Sequence, residues 1–600
     1  MPVLNPKIKH ILSQVQKPAR YTGNEWNAWR KDHDGVAVKM VLAFPDLYEV
    51  GMSNQGLKIL YESVNRGSDM LMERTFAPGT DMEELLRSHQ EPLFALESGK
   101  PLADFDLVGF SLQYELSYTN VLNMLDLAGI PLHADRRDRN DPLIVGGGPC
   151  AFNPEPLAPF FDFFILGEAE ECLPELLKDI KSIKEKTPGR KELLARLSGL
   201  EGVYVPSIYQ PVYSGGKLVA LEKKDHRAPS LINKRLVNDL DKAPYPEAPV
   251  VPYLQTIHDR AVVELFRGCG RGCRFCQAGY IFRPVRRRSR EKIVETARKQ
   301  IAETGYEEIS LASLSSTDYP GLDGLIEELD HIYSGQQVKC NLPSLRLDSY
   351  SIKLQERLHR GKRSSLTFAP EAATERLRRV IRKNISEEEI FSALGDAVDA
   401  GWQGCKLYFM IGLPTETEAD VEAIINLCSR IRQYFRRKAG RKIRISVSVS
   451  TFIPKAHTPF QWEPQLPLSE VTRRQEILKN GFKKMPGIDF SWHDPETSYL
   501  EAVFARGDRR LASALERAFQ LGCRFDGWSE HFSMSLWRQA FEDSGIDPED
   551  YARRRFAYDD LLPWDHLDCG ISREVFVREH QKAYESDKLV REGRNDPDSV

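Results

Sequence analysis

The sequence predicts an α/β protein whose carboxyl-terminal part is mostly helical. Two stretches alternate short apolar runs, typical of buried parallel strands, with helix-spaced patterns. The first stretch lies within residues 1–180 and the second covers 256–469, while a helical pattern dominates 470–600. Because 600 residues exceed what one hydrophobic core supports, we expect several domains, with residues 181–255 as a connecting module.

Residues 1–180 carry the pattern of an open, Rossmann-like parallel sheet. The strand candidates are Ala37–Phe44, Asp106–Leu112, Leu143–Gly146 and Phe163–Leu166, and the helical stretches are Asn54–Asn65, Tyr118–Ala128 and Ala169–Ile180. A run of three glycines and a proline, Gly146 to Pro149, stands at the end of one candidate strand. Such sheets bind ligands beyond the carboxyl ends of their strands, so this run marks a candidate ligand site.

The segment 181–255 combines a charged helix-like run, a predicted hairpin and a proline-rich stretch. Strand–helix alternation then resumes. Its strand candidates are Ala261–Phe266, Glu308–Leu311, Val338–Leu342, Ser365–Phe368, Gly404–Met410 and Ile443–Ser448. Six such units predict a partial, TIM-like (β/α)6 barrel, in which the active site lies at the carboxyl ends of the strands.

Composition and charge narrow the class of protein. The formal net charge of −4 argues against attraction of the whole chain to nucleic acid or anionic lipid. The sequence has neither an apolar run of membrane-spanning length nor a signal-peptide pattern, so we expect a cytoplasmic protein without a membrane partner. Ten cysteines spread over the chain do not form a disulfide framework, and a tight cluster of them indicates a metal site.

Three cysteines follow the first predicted barrel strand: Cys269, Cys273 and Cys276. Their thiolates can ligate three irons of one 4Fe–4S cluster and leave the fourth iron open to S-adenosylmethionine (SAM). Gly268, Gly270 and Gly272 let a tight loop wrap a bulky cluster. The alternatives are a zinc site, which prefers paired C-x2-C units and four ligands, and a purely structural cluster.

The spacing C-x3-C-x-aromatic-C resembles the signature of the radical SAM superfamily, and the resemblance covers residues 255–465. It implies a cluster that cleaves SAM to a 5′-deoxyadenosyl radical. It places Phe275 beside the adenine, Glu371 within reach of SAM, and Gly412 and Pro414 in the fifth-strand G-x-P element that packs the adenine. Pro454–Phe460 resembles the loop after the sixth strand in methylthiotransferase and cobalamin-linked members.

The second-strand element, often Gly-Gly-Glu in the superfamily, departs from the pattern here. Ser313, Ser315 and Asp318 are candidates to replace it, and a cap or turn role for residues 316–318 is the alternative. Lys406 and Tyr408 alternate on the fifth strand and so face the same side. If that side is the barrel interior, Lys406 holds a carboxylate of SAM or substrate; otherwise it extends to water.

An α/β sheet ahead of a radical SAM barrel resembles the cobalamin-binding class. Val145–Pro149 and Phe163–Glu170 carry this resemblance, which implies that Ser111, Gly146, Gly147 and Gly148 line a cobalamin pocket. The axial-ligand motif D-x-H-x-x-G has Tyr48 in place of the histidine. The alternative is a Rossmann-like domain that binds no corrin, or binds substrate instead.

Phe44–Gly56 and Leu562–Gly570 resemble a family of radical SAM proteins with an amino-terminal B12-binding-like domain. The prediction is a radical SAM enzyme that functionalises an unactivated carbon, with cobalamin-linked methyl transfer as the leading reaction. Its substrate is a small molecule or an RNA, and its reducing partner a protein such as flavodoxin or ferredoxin. No side chain is assigned a catalytic role.

Two other functions stay open. A methylthiotransferase-like modification of RNA or protein normally needs a second three-cysteine cluster, and the amino-terminal domain offers only Cys150 and Cys172. A non-catalytic iron–sulfur scaffold or regulatory protein is the other. An arginine run after the cysteines is either an RNA phosphate site or a solvated face. Its members are Arg283, Arg286, Arg287, Arg288 and Arg290.

Overall fold

A computed structural model of the chain describes residues 5–186, 189–342, 365–439, 444–592 and 594. Its largest sheet belongs to the amino-terminal region and has the strand order β2-β1-β3-β4-β5-β6. The strands are β1 (Val38–Phe44), β2 (Met70–Phe76), β3 (Leu107–Ser111), β4 (Leu143–Gly147), β5 (Phe163–Ile165) and β6 (Val203–Tyr204). All pairs are parallel except β5 with β6. The chain order reverses between β1 and β3, which is where doubly wound sheets place ligands.

Helices join these strands. They are Pro6–Leu12, Tyr48–Gly51, Gln55–Asn65, Thr80–His89, Tyr118–Leu127, Cys172–Lys186 and Arg190–Leu197. The sequence prediction found β1, β3, β4 and β5 but missed β2, because Glu73 and Arg74 interrupt its apolar run. The structure buries both residues: Arg74 donates to Glu25 at 2.9 Å and to Glu97 at 2.6 Å. Ion pairing of this kind allows a charged side chain to be buried on an edge strand of the sheet.

The segment predicted as a connecting module is less independent than expected. It contributes β6 to the amino-terminal sheet, followed by a hairpin of Tyr209–Ser214 and Lys217–Lys223. Its strand Ile232–Asn233 pairs with Leu567–Asp568 near the carboxyl end of the chain. Residues 181–255 therefore join distant parts of the chain through backbone hydrogen bonds.

The second strand-rich region forms two parallel sheets, of three and four strands within the described residues. The strands are β7 (Ala261–Glu264), β8 (Glu308–Ala312), β9 (Lys339–Asn341), β10 (Leu366–Glu371), β11 (Gly404–Ile411), β12 (Arg444–Thr451) and β13 (Ile488–Trp492). All six predicted strands are present, although Ile443 lies outside the described residues. The expectation of six strands ending before residue 469 is wrong, since β13 pairs with β12 in parallel. Most residues of β13 are exposed, so its sequence contains no apolar run that would have predicted a strand.

The helices of this region are Ala278–Ile281, Arg290–Thr304, Leu322–Ile332, Glu375–Val380, Glu387–Asp399, Glu418–Ala439 and Leu468–Lys483. Those that follow are Pro495–Ala505, Leu511–Gln520, Met534–Asp543, Glu549–Ala552 and Arg573–Arg591. Among the described residues, no helix combines the length and apolar character of a membrane span.

The last helices do not pack as the separate domain that the sequence suggested. They share one apolar core with the amino-terminal sheet. Phe504, for example, packs edge-on against Tyr118 with ring centroids 5.7 Å apart. Helical periodicity shows that a helix has an apolar face but not what covers that face, so the partner was not predictable.

Candidate functional site

The three cysteines lie on a loop framed by a two-stranded ribbon, Phe266–Arg267 paired with Arg286–Arg287. Two glycines shape this cysteine loop. Gly268 has φ +88°, and a Cβ there would stand 2.6 Å from the Phe282 carbonyl oxygen. Gly272 has φ +73° and lies between two guanidinium groups. Gly270 has open space around it. Crowding by neighbouring atoms therefore explains why glycine is needed at positions 268 and 272 but not at position 270.

Cys269, Cys273 and Cys276 are all half-buried, and the Cys276 N–H donates to the Cys273 carbonyl at 3.1 Å. Burial raises the pKa of the Cys273 thiol to about 11 and also raises that of Cys276. Within the part of the chain that the structure describes, no three His, Cys, Asp or Glu side chains converge tightly enough for a single ion. A cubane needs no such convergence, because each thiolate binds a different iron.

Glu371 ends β10 beside the cysteine loop, where its backbone has φ +66°. Burial raises its pKa, and Lys383, whose Nζ lies 3.6 Å from its carboxylate, partly offsets that effect. Both residues are close enough to Cys273 to influence the pKa of its thiol. Glu371 was predicted from the sequence as a site residue, whereas Lys383 was not, because it belongs to no motif.

Phe275 joins an apolar cluster at the carboxyl ends of β10 and β11 that includes Leu413. Gly412 has φ +83°, its N–H donates to Glu416 at 2.8 Å, and Pro414 is buried in the same turn. Glu416 also pairs with Arg474. Burial raises the pKa of Glu416 to about 7, and Arg474 opposes the shift. This pair fixes the turn and was not predicted, because its members are distant in sequence.

The serine-rich loop after β8 contains two of the predicted residues. The Ser313 hydroxyl lies 3.0 Å from that of Ser316, and Ser313 lines the large cavity described below. The Ser315 hydroxyl instead donates to Asp318 at 2.7 Å, and Asp318 pairs with Arg271 of the cysteine loop. Ser315 and Asp318 thus brace this loop, which matches the alternative of a turn role.

Lys406 lies near the amino end of β11, on the opposite side from buried Cys405 and Leu407. Its ammonium sits 4.7 Å from the centroid of the Tyr408 ring. Cys405 and Leu407 face the apolar core under the helices, so Lys406 and Tyr408 share the opposite face of β11, and the role of Lys406 in holding a carboxylate stays a prediction.

A cavity of about 420 Å³ separates the amino-terminal sheet from the cysteine loop. Ser111, Gly146, Gly147 and Gly148 all line it, as the sequence predicted, together with Met40, Leu42 and Val145 of the sheet. The facing wall includes Phe266, Arg267, Gly268 and Ser313. At Gly147 a Cβ would meet nothing closer than 3.9 Å, whereas at Gly146 it would clash with Phe164 at 2.5 Å. The wall is therefore open at Gly147.

Tyr48, which replaces the histidine of the axial-ligand motif, is buried and donates to Glu25 at 2.9 Å. Its hydroxyl is thus already committed to a carboxylate, and burial raises its pKa above the usual range for a phenol. It is also not among the residues that line the cavity. A metal-ligand role for Tyr48 does not fit this arrangement.

Two of the five residues in the arginine run, Arg286 and Arg288, are buried, whereas Arg287 and Arg290 are exposed. Arg286 is buried and binds both carboxylate oxygens of Glu168, at 2.5 and 2.7 Å, and buried Arg288 pairs with Glu264 at 3.1 Å. Arg290 pairs with Glu328, and Arg283 donates to the Cys269 carbonyl at 3.3 Å. The reading of this run as an RNA phosphate site is wrong for Arg286 and Arg288, because buried ion pairs cannot reach a nucleic acid.

The carboxyl-terminal helix Arg573–Arg591 packs against the cysteine loop. Glu579 accepts from Arg274, the residue after Cys273, at 3.4 Å and from Arg382 at 2.9 Å. Phe576 packs against Tyr280, with ring centroids 5.4 Å apart. The role of residues 470–600 was invisible in the sequence, and the structure shows that part of it is to cover this loop.

His457, in the loop after β12, gives a testable pH dependence. Its Nε2 donates to the Phe152 carbonyl at 3.0 Å, so the neutral ring carries its proton there. Burial lowers its pKa to about 3. In the unfolded chain His457 has an ordinary pKa of about 6.5, so below that pH it binds a proton that the buried ring in the folded chain does not bind. Stability therefore falls as the pH drops below about 6.5.

We therefore expect His457→Gln, which keeps a donor but does not titrate, to lose about 2 kcal/mol less free energy of unfolding than the wild type between about pH 7 and 5. Urea unfolding at the two pH values measures this difference. His226→Gln is the matched control, because the His226 side chain is 94% exposed. Equal losses in the two variants would contradict the prediction.

Two family models match the chain: "Radical SAM proteins, N-terminal" over residues 56–206 and "Radical SAM superfamily" over residues 263–428. The uncharacterized protein MJ0966 of Methanocaldococcus jannaschii is 30% identical over 456 residues, which cover 76% of this chain and 89% of that protein. The ribosomal protein uS12 methylthiotransferase RimO of Parabacteroides distasonis is 25% identical over 209 residues, or 33% of this chain and 48% of that protein.

Solved structures give weaker similarities. The radical SAM methyltransferase TsrM from Kitasatospora setae aligns with 93% of this chain and 100% of its own at 12% identity and a TM-score of 0.44. The cobalamin-dependent enzyme OxsB aligns with 94% and 81% at 14% identity and a TM-score of 0.46. The alignment with MJ0966 covers most of both chains, and the family models cover five of the six strands of the amino-terminal sheet and the cysteine loop. The chain therefore belongs to the radical SAM superfamily and is an enzyme that uses a 4Fe–4S cluster and SAM.

Proposed function

We propose that this radical SAM enzyme methylates an unactivated carbon of its substrate with cobalamin held between the amino-terminal sheet and the cysteine loop. One observation carries the proposal. The large cavity opens at the reversal point of the sheet, between β1 and β3, and its opposite wall is the start of the cysteine loop. A ligand there stands next to the site where SAM is cleaved.

In this proposal Cys269, Cys273 and Cys276 hold the cluster, which when bound supplies the electron for reductive cleavage of SAM. Phe275 and the Gly412–Pro414 turn form the apolar wall for the adenine, since they share one cluster of side chains. Glu371 and Lys383 supply a carboxylate and an ammonium for the polar end of SAM, because both lie beside Cys273. The apolar surroundings keep water away from the reacting groups.

The cavity has the volume of a small-molecule or cofactor site. Its volume of about 420 Å³ falls within the range of roughly 300–1,000 Å³ for cofactor sites. Its sheet side is apolar at Met40, Leu42 and Val145, and its floor is open at Gly147. Since Tyr48 is bonded to Glu25, we propose that cobalamin binds here without a tyrosine ligand.

Methylthio transfer is the less favoured reaction. Residues 1–255 contain only Cys150 and Cys172, and both thiols are buried. A second three-cysteine cluster in the amino-terminal region therefore has no basis in this chain.

Replacing Gly147 by Phe tests the cavity. The backbone at Gly147 does not require glycine, and the added ring enters the open space. We expect Gly147→Phe to bind cobalamin at least about 10-fold more weakly than the wild type, measured by the corrin absorbance retained after gel filtration. Cluster content and 5′-deoxyadenosine formation remain as controls of folding.

The matched control is Gly35→Phe, because Gly35 is exposed, lies in the same region and has no close neighbours. Equal cobalamin retention by the two variants would remove the cavity from the proposal. Absence of cobalamin from wild-type protein prepared with the vitamin would remove methyl transfer through cobalamin.

A further inference from the structure

Arg267 connects the two cofactor sites of the proposed function. It precedes Gly268 and Cys269 in the chain, and it also lines the large cavity. Its guanidinium is 12% exposed and contacts three carboxylates: Glu170 at 2.6 Å, Glu264 at 3.0 Å and Glu168 at 3.3 Å. An arginine shared by three acidic groups is held in a fixed orientation, because its planar fork leaves few alternative geometries.

Two of these carboxylates belong to the amino-terminal sheet. Glu168 and Glu170 follow the carboxyl end of β5, and both line the cavity. Glu168 also binds Arg286, the ribbon partner of Arg267. Both strands of the ribbon that frames the cysteine loop are therefore bound to one short segment of the cavity wall.

The backbone between Arg267 and Cys269 is closely packed and has little room to move. Gly268 has φ +88°, and its Cα faces the carbonyl oxygens of Phe282 and Pro284, which would lie 2.6 and 2.8 Å from a Cβ. A displacement of Arg267 is therefore passed to Cys269 rather than absorbed by the glycine. Breaking the ion network would leave buried carboxylates without a partner, so the network moves as a unit.

We propose that Arg267 is a positioning residue that transmits occupancy of the cavity to the cysteine loop, so that a bound corrin tightens the hold of the loop on its cluster. The inference rests on the proposed function, because it needs a ligand in each site. Glu168 and Glu170 lie on the wall of the cavity, and Arg267 lies next to the cysteine loop that holds the cluster. By linkage, the cluster must then strengthen binding in the cavity to the same extent.

The test measures release of iron from the cluster to a chelator, in the presence and absence of saturating aquocobalamin and without reductant. We expect aquocobalamin to slow release about fivefold or more in the wild type, the lower range of measured couplings between sites. In Arg267→Gln the two rates should be equal at an aquocobalamin concentration that saturates the variant, with saturation checked by the corrin absorbance that the protein retains. Arg267→Lys, which keeps the charge but not the fork, should restore part of the effect.

A merely structural role would raise both rates together and leave their ratio unchanged, and that result would overturn the proposal. Glu170→Gln weakens the same connection from the sheet side, so it gives the answer if Arg267→Gln fails to fold. Arg290→Gln is the matched control, since its partner Glu328 is partly exposed and outside the network. Wild-type protein that binds aquocobalamin without slower iron release would refute the role of Arg267 alone, whereas no binding at all would refute the proposed function with it.

Discussion

The Cys273→Ala protein is expected to hold no 4Fe–4S cluster and to form no detectable 5′-deoxyadenosine with SAM and dithionite. Cys273 is the middle of the three cysteines, and it lies within electrostatic reach of Cys269, Cys276, Lys383 and Glu371. Two remaining thiolates cannot hold three irons of one cubane. Iron and sulfide content after anaerobic reconstitution, together with chromatography of the reaction products, measures both effects.

Cys428→Ala is the matched control, because Cys428 is a fully buried thiol of the helix Glu418–Ala439. Its loss removes a small apolar group from the core and should leave cluster content unchanged. A Cys273→Ala protein that kept about three-quarters or more of the wild-type iron would contradict the ligand set proposed here. Zinc in the reconstituted wild type would contradict the cluster itself.

Lys455→Met is expected to lower the free energy of unfolding by about 3–5 kcal/mol, because it leaves the buried carboxylate of Glu115 and the half-buried carboxylate of Glu501 without their cation. The Lys455 ammonium lies 2.7 Å from both oxygens of Glu115 and 2.8 Å from Glu501. The two acids come from the amino-terminal region and from the helix Pro495–Ala505, while Lys455 follows β12. Burial raises the pKa of Glu115, and Lys455 opposes that shift.

Urea unfolding at neutral pH measures the loss. The control is Lys217→Met, whose side chain is 53% exposed and pairs with Asp560 at the surface, and which should change stability by less than about 1 kcal/mol. Adding Glu115→Gln to Lys455→Met removes one of the stranded charges and should recover part of the stability. A Lys455→Met protein as stable as the Lys217→Met protein would show that the three parts of the chain are held together by other contacts.

The sequence predicted those features that are local in the chain. The cysteine loop is a pattern of eight residues, and strands such as β1 and β11 are unbroken apolar runs whose burial is visible from composition alone. Gly146, Gly147 and Gly148 are also adjacent in the chain and follow an apolar strand. Their position at a ligand cavity was predictable because ligands bind at strand ends in a doubly wound sheet.

Features that depend on distant partners were not predictable. β2 carries two charged residues whose burial depends on distant partners. Arg74 pairs with Glu25 and Glu97, and Glu73 contacts His33 and Ser98. Lys383 follows the helix Glu375–Val380 and Arg474 lies within the helix Leu468–Lys483, and neither residue belongs to a motif. Arg286 and Arg288 looked like a surface charge run, since nothing near them in sequence reveals that Glu168 and Glu264 would enclose them.

The contact between Glu579 and Arg274 also bears on the order in which parts of the chain are synthesised. The two residues are 305 positions apart, so a ribosome working at about 5–20 residues per second makes the second roughly 15–60 s after the first. During that interval the nascent thiols have no helix over them. The cover over the three cysteines therefore forms only after the helix Arg573–Arg591 has been synthesised, so the loop is open to solvent for that whole interval.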